Sequence, residues 1–298
     1  MERIHVMAFR HSAFYTPLLV TLNGGFLQQE GLEANYSVAT PQRTVADGLA
    51  RGEVDLAQSA VATSFADLEQ DKPVDIVHFA QINRLDGFFL AGRTAEPDFD
   101  WSRLVGREVL VDHLFQPLAM FRYALHRHGI DASQVKIVDA GSVEAMDRAF
   151  RAGQGDYVHQ QGPFPQQLEQ DGVGHLVASV GESVGPIAFS SLCATRAWLG
   201  TEQARAFIRA YRKACRFVLE APAGEIAALE QNHFPEIEPA VLTRTIATYQ
   251  RMGTWSADPH IDAETYEHLL DVYQYSGLVT RRHAYGSCVV APPDGDAA

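Results

Sequence analysis

Lysine is nearly missing from this chain. Only Lys72, Lys136 and Lys213 occur in 298 residues, and the remaining basic residues are arginines. Positive charge is short as a whole, with 24 Lys and Arg against 37 Asp and Glu and a formal net charge of −13. Such a chain repels phosphate backbones and anionic lipid surfaces, so nucleic acid is not an expected partner. Cysteine is also scarce. Cys193, Cys215 and Cys288 lie far apart with no C-x-x-C, which excludes a zinc knuckle or a dithiol redox pair and reads as structural thiols. No apolar run approaches the roughly 20 residues that cross a bilayer. No basic segment followed by an apolar one precedes the strand-like start at Ile4, so no export signal is written here. There is no H-E-x-x-H, and His126 and His128 flank a single residue, so no metal is expected. A G-x-S-x-G elbow is also missing, which argues against hydrolysis.

What is present is an α/β grammar written twice. At roughly 150 residues per domain the length suggests about two units, and 46% hydrophobic residues fit an ordinary globular core. Strand-like runs at 4–9, 32–39, 54–58, 75–81 and 88–92 alternate with helix-length segments. The charged stretch Arg93 to Asp100 marks a crossing. The pattern restarts with strands at 108–111, 135–138, 156–159 and 175–179, and the apolar run Ile187 to Ala194 leads back. Helical segments follow from Thr201 to Tyr275, and a small polar tail at 292–298 is expected to fray. Alternation of this kind predicts parallel pairing with both sheet faces covered. We expect one lobe from 1–90 and 190–298, a second from 91–189, and a ligand cleft at the strand ends between them.

Four segments carry a family resemblance. Gly25-Phe26-Leu27-Gln28-Gln29-Glu30-Gly31-Leu32 resembles G-[YF]-F-x-x-E-G-L, and the run from Gly48 through Gly52-Glu53-Val54-Asp55-Leu56-Ala57 resembles A-L-x-x-G-E-x-D-x-A. Leu104-Val105-Gly106-Arg107-Glu108-Val109 is similar to L-x-G-K-x-V. Gly129-Ile130-Asp131 through Val135-Lys136-Ile137-Val138 is similar to G-[LI]-D-x-x-x-V-x-[IV]-V. These are signatures of NMT1/THI5-like and sulfonate-type substrate-binding proteins of ABC importers, and the resemblance covers about residues 3 to 285. It implies a type II periplasmic-binding fold: two α/β lobes that close on a small molecule and hand it to an ABC permease, a monomer working outside the cytoplasmic membrane. With no export signal written at its start, a cytoplasmic location stays open beside that one. The family also contains pyrimidine synthases and desulfinases, so the fold leaves activity open.

Candidate ligand-binding residues fall on the loops expected to face the cleft. After the first strand, Arg10, His11, Ser12, Phe14 and Tyr15 offer charge, helix-start amides and rings for stacking, although Ser12 also fits a helix cap and Phe14 a core position. Gln42 sits in the turn after the second strand, and Ser59 follows the third, where it could bind or cap. Gln81 and Asn83 end the fourth with amides suited to a neutral ring or a carboxylate. Asp112 and His113 stand where sulfonate-type relatives carry a Gly-Ser-rich anion cradle. That departure favours a ligand with a donor, such as an aminopyrimidine, unless Asp112 only caps its helix. Tyr157, His159 and Gln160, beside Gln161 and a Gly-Pro turn, suit a planar heterocycle, and strand alternation sends about half of them to the cleft. Trp255 reads more readily as core than as an aromatic wall.

The expected function is therefore capture of a small, polar, ring-containing metabolite, closer to a thiamine-pyrimidine precursor than to a sulfonate. The alternative is a family-related enzyme. The cysteine-rich motif and cofactor lysine of the pyrimidine synthases have no counterpart here, so no pyridoxal phosphate or other cofactor is expected. A desulfinase-like reading would need Cys193 as nucleophile with His11 or His113 as base.

Overall fold

A computed structural model describes residues 1–293, so residues 294–298 of the tail expected to fray lie outside the described residues. The chain opens with β1 (Glu2–Ala8), whose Ile4 and Val6 are buried, and turns at Ser12, whose hydroxyl accepts from the Phe14 N–H at 3.1 Å. Helix α1 (Thr16–Asn23) takes Pro17 in its first turn, where no backbone donor is needed, and stops at Gly24 and Gly25. Then come α2 (Phe26–Gln29), β2 (Leu32–Val38), α3 (Val45–Ala50), β3 (Leu56–Ser59), α4 (Phe65–Glu69) and β4 (Ile76–Asn83). The second lobe holds β5 (Phe88–Gly92), β6 (Glu108–Leu110), α5 (Phe115–Arg127), β7 (Lys136–Val138), α6 (Val143–Arg151), β8 (Tyr157–Gln161), α7 (Phe164–Gln170), β9 (His175–Ser179) and α8 (Val180–Val184). The chain returns through β10 (Ser190–Thr195) and ends in α9 (Arg196–Leu199), α10 (Glu202–Glu220), α11 (Ala223–Glu230), α12 (Pro239–Met252) and α13 (Ala263–Tyr275).

Two five-stranded sheets result, ordered β2-β1-β3-β10-β4 and β7-β6-β8-β5-β9. The expectation of parallel pairing holds for β1 with β2 and β3 and for β6 with β7 and β8. It fails for β10 and β5, which pair antiparallel with both of their neighbours. The reason is topological: each of these strands enters its sheet from the other lobe, against the direction of the strands built by local helix crossovers. The chain changes sheets between Asn83 and Phe88, ahead of the charged stretch, and again between Ser179 and Ser190. At the first crossing a Cβ on Gly87 would lie 2.3 Å from the Phe14 ring, so only glycine lets the strand pass there.

The C-terminal helices tie the lobes together. Helix α10 buries Phe207, Ile208, Tyr211, Ala214, Cys215 and Val218 at helical spacing, a stripe packed on the first lobe. Truncating a ring such as Phe207 to alanine would cost about 3–5 kcal/mol. From α12, the buried Tyr249 hydroxyl accepts from the Gly162 N–H of the second lobe and donates to the Gly87 carbonyl, both at 2.8 Å. Among the described residues no helix is long and apolar enough to cross a membrane.

Candidate functional site

The strand ends of the two lobes face each other across a gap, as the topology requires. From the first lobe come Phe9 and Arg10 after β1, Gln58 and Ser59 at the end of β3, and Ser190 at the start of β10. From the second come Gln161 at the end of β8 and Leu114 to Pro117 at the start of α5. Together with Tyr15, Phe65, Phe88, Phe189 and Tyr273 they line an inner chamber of about 410 Å³. An outer chamber of about 740 Å³ shares Phe9, Arg10, Leu114 and Gln161 with the inner one and continues past His11, Ser12, Asp112 and His113.

The charge at this boundary is internally balanced. Arg10 Nη1 meets Asp112 Oδ2 at 2.8 Å across the lobes, with side-chain exposures of 18% and 8%. Asp112 also accepts from the Leu114 N–H at 3.0 Å through its other oxygen, so its capping reading holds alongside the ion pair. A second cross-cleft bond runs from the Ser12 hydroxyl to the Gly162 carbonyl at 2.9 Å. Ser12 thus caps its turn and also bridges the lobes.

Several polar groups in the inner chamber are already committed. Gln58 accepts from the Phe9 N–H at 3.0 Å and donates to the Ser59 carbonyl, while Gln116 donates to the Phe189 carbonyl and accepts from the Tyr273 hydroxyl. Ser59 lies 3.4 Å from the Thr63 hydroxyl. Gln161 differs: its Oε1 is buried with no hydrogen-bond partner among the described residues, in a side chain lining both chambers. The Tyr15 hydroxyl faces Gln161 and Ser190, and burial pushes its ionisation up, so it stays a neutral phenol. The deep end therefore holds a buried, unpartnered amide oxygen and neutral hydroxyls between aromatic walls.

Other candidates are placed differently. His11 lines the outer chamber, but Tyr36 and the His233 carbonyl hold its ring at 3.0 and 2.9 Å, and burial lowers its pKa. His113 is tethered to the Val111 carbonyl at 2.8 Å. Phe14 and Asn83 are fully buried and joined by an Asn83 side-chain bond to the Phe14 carbonyl at 2.6 Å, so they build the wall behind the site. Trp255 donates to that same carbonyl at 3.0 Å as a core residue. Gln81 turns back to the Asn83 carbonyl. Gln42 lines neither chamber, whereas its neighbour Pro41 lines the outer one. His159 stacks on Phe88 at 4.4 Å, one layer behind the inner chamber, and burial holds its pKa near 3. Gln160, on the opposite strand face, is buried, and Tyr157, at the far end of β8, donates to Glu96 at 2.8 Å.

Cys193 is the clearest correction. It is 1% exposed in an apolar cluster with Met7, Val45, Leu49, Val54 and Ala57, and lines neither chamber. Burial pushes its thiol up to about 12, the reverse of what a nucleophile needs. Among the described residues no group of three or more His, Cys, Asp or Glu side chains converges on a metal-sized site.

The residues missed by the sequence reading are instructive. Gln161 lay inside the suspected segment, and the rule that the last residue of a parallel strand meets the ligand would have selected it over Gln160. Phe9, Leu114 and Phe115 adjoin suspected turns. Tyr273, on α13, carries no local signal, since it reaches the chamber only through tertiary packing.

Two α/β lobes, crossed twice by the chain and closed over a chamber at their strand ends, define the two-lobed class of periplasmic-type binding proteins. Within that class the chain belongs to the NMT1/THI5-like family, whose model matches residues 13–225. It is 28% identical over 294 residues to the "Putative binding protein YtlA" of Bacillus subtilis (strain 168), covering 97% of this chain and 88% of that protein. Its fold is similar to the ligand-binding component of an ABC-type import system from Staphylococcus aureus, with zinc bound, at a TM-score of 0.76 and 16% identity over 98% of this chain and 97% of that one. It is also similar to the alkanesulfonate-binding protein SsuA from Xanthomonas axonopodis pv. citri bound to MOPS, at a TM-score of 0.73 and 15% identity over 98% and 99%.

Proposed function

We propose that this protein is the solute-binding component of an ABC importer, working outside the cytoplasmic membrane, and that it closes around an uncharged, ring-containing metabolite bearing an N–H donor. The binding role named for the Bacillus relative and the import system named for the Staphylococcus neighbour support the transport half of this reading. One observation carries the ligand half. Among the described residues Arg10 is the only charged one lining the inner chamber, Asp112 neutralises it at 2.8 Å, and Gln161, whose Oε1 is buried without a partner among the described residues, belongs to that same lining. A sulfonate buried there would find no uncommitted positive charge, and an unpaired buried anion is strongly disfavoured. An aminopyrimidine, of the kind that serves as a thiamine precursor, presents the donor that Gln161 needs and a ring for the aromatic walls.

Function follows from differential binding. A ligand touching Gln161 and Leu114 on one lobe and Tyr15 and Ser190 on the other favours the closed state, because opening breaks half its interactions. Calorimetry and thermal unfolding with 4-aminopyrimidines and alkanesulfonates, followed by recovery of the ligand, test this. Aminopyrimidine binding with unchanged ligand is the expected result. Tighter sulfonate binding would overturn the ligand class, and a chemically altered ligand would overturn the binding role.

A further inference from the structure

We infer that the ligand carries two rings, a donor-bearing heterocycle at the deep end of the inner chamber and a second, apolar ring at its mouth. This rests on the reading above and adds the size and polarity pattern of the substrate. The chamber, at about 410 Å³, falls in the roughly 300–1,000 Å³ range of sites that enclose drug-sized ligands, and a lone six-membered ring leaves much of it empty. Empty apolar volume forfeits the dispersion attraction that makes a ring bind.

Depth separates the lining into two zones. Tyr15, Gln161 and Ser190 are at most 5% exposed, as are the rings of Phe65, Phe88 and Phe189, so the hydrogen-bonding groups lie deep among aromatic walls. The mouth is mostly apolar, with Thr63 its exposed polar residue: Phe9 is 44% exposed, Leu114 42% and Phe115 76%, in a molecule with few large hydrophobic side chains so exposed. Phe9 follows β1 of the first lobe, whereas Leu114 and Phe115 begin α5 of the second. The opening is thus lipped on both sides by apolar surface that meets water. A second ring held between these lips covers that surface and bridges the two lobes, so it strengthens closure as well as affinity. Gln58 and Gln116 have their amides committed within the protein, so they do not call for polar ring substituents midway along the ligand.

Titration calorimetry of the full-length protein with 4-aminopyrimidine, 4-aminoquinazoline and 4-amino-6-phenylpyrimidine, matched in donor and uncharged near pH 7.5, tests the inference. At least one two-ring compound is expected to bind about tenfold or more tighter than the single ring, and Phe115→Ala is expected to shrink that ratio. Phe115→Leu, which keeps an apolar lip, is expected to retain more of it than alanine does. Equal affinities, or a ratio untouched by Phe115→Ala, would overturn the two-ring inference and leave solute binding standing. Binding of an alkanesulfonate with none of the three compounds binding at millimolar concentration would overturn both readings.

Discussion

Arg10 and Asp112 meet at 2.8 Å across the cleft, one on each lobe, and so join the lobes and balance each other's charge. Because both side chains are largely buried, removing one strands the other in a poorly solvated place, which costs about 1–3 kcal/mol. Arg10→Gln is expected to lower the unfolding midpoint and to loosen closure, read as a larger radius of gyration in solution scattering. Asp112→Asn is expected to release the guanidinium and raise the affinity for an alkanesulfonate above that of the wild type. Unchanged sulfonate affinity in Asp112→Asn would show that Asp112 does not set the charge preference of the site.

Asp86, at the first crossing, carries a second charge problem. Its carboxyl is fully buried, one oxygen accepts from the Phe88 N–H at 2.6 Å, and the other has no partner among the described residues. Burial, aided by the nearby Asp112, raises its pKa from 3.8 to about 8. The unfolded chain gives up this proton near pH 4 while the folded one keeps it. The contribution is therefore whole below pH 3.8 and is lost as the pH climbs through about 8. Glu230, also buried and raised, pushes the same way, so the difference between wild type and Asp86→Asn isolates Asp86. Wild type minus Asp86→Asn stability, from denaturant unfolding, should fall between pH 5 and 9. A difference independent of pH would refute the buried neutral acid.

The fold was legible because its signals are local and repeated. Gly25 through Leu32 and Gly48 through Ala57 encode helix stops followed by edge and inner strands, and both form where the pattern puts them. The antiparallel β5 and β10 were not legible, since strand direction in a sheet depends on which lobe the chain arrives from. The site was half legible for the same reason. Arg10, Ser12, Tyr15, Ser59, Asp112 and His113 sit on the expected turns and do line the chambers. Tyr157 and His159 stand out by residue type within one segment, but a strand presents only its end to the cleft. Tyr273 was invisible because α13 meets the chamber through packing across the whole chain.

Gly162 is where the second lobe rests on α12. A Cβ there would lie 2.6 Å from Thr245 Cγ2 and 2.9 Å from the Tyr249 hydroxyl, which also holds the Gly162 N–H. Neither neighbour is free to retreat, since both are buried. Gly162→Ala is expected to destabilise the protein by about 1–3 kcal/mol, as overpacking of a close approach does. It should also weaken ligand binding through the displaced Gln161. Chemical denaturation measures the first effect and calorimetry the second. Wild-type stability would mean the lobes shift apart freely at this point.

Gln161 and Tyr157 offer an internal control, because both are buried on β8 and both carry a polar group. Tyr157→Phe removes a hydrogen bond to Glu96 at the far end of the strand, which should cost about 0.5–1.5 kcal/mol of stability and leave ligand affinity unchanged. Gln161→Leu removes an orphaned acceptor from the chamber lining while keeping the side chain's bulk. It relieves an unsatisfied oxygen and gives up the contact with the Tyr15 hydroxyl, so stability should hold, while affinity for an aminopyrimidine-type ligand should fall about tenfold or more. The opposite patterns make the pair decisive: a tyrosine variant that weakens binding, or a glutamine variant that does not, would move the ligand out of this chamber.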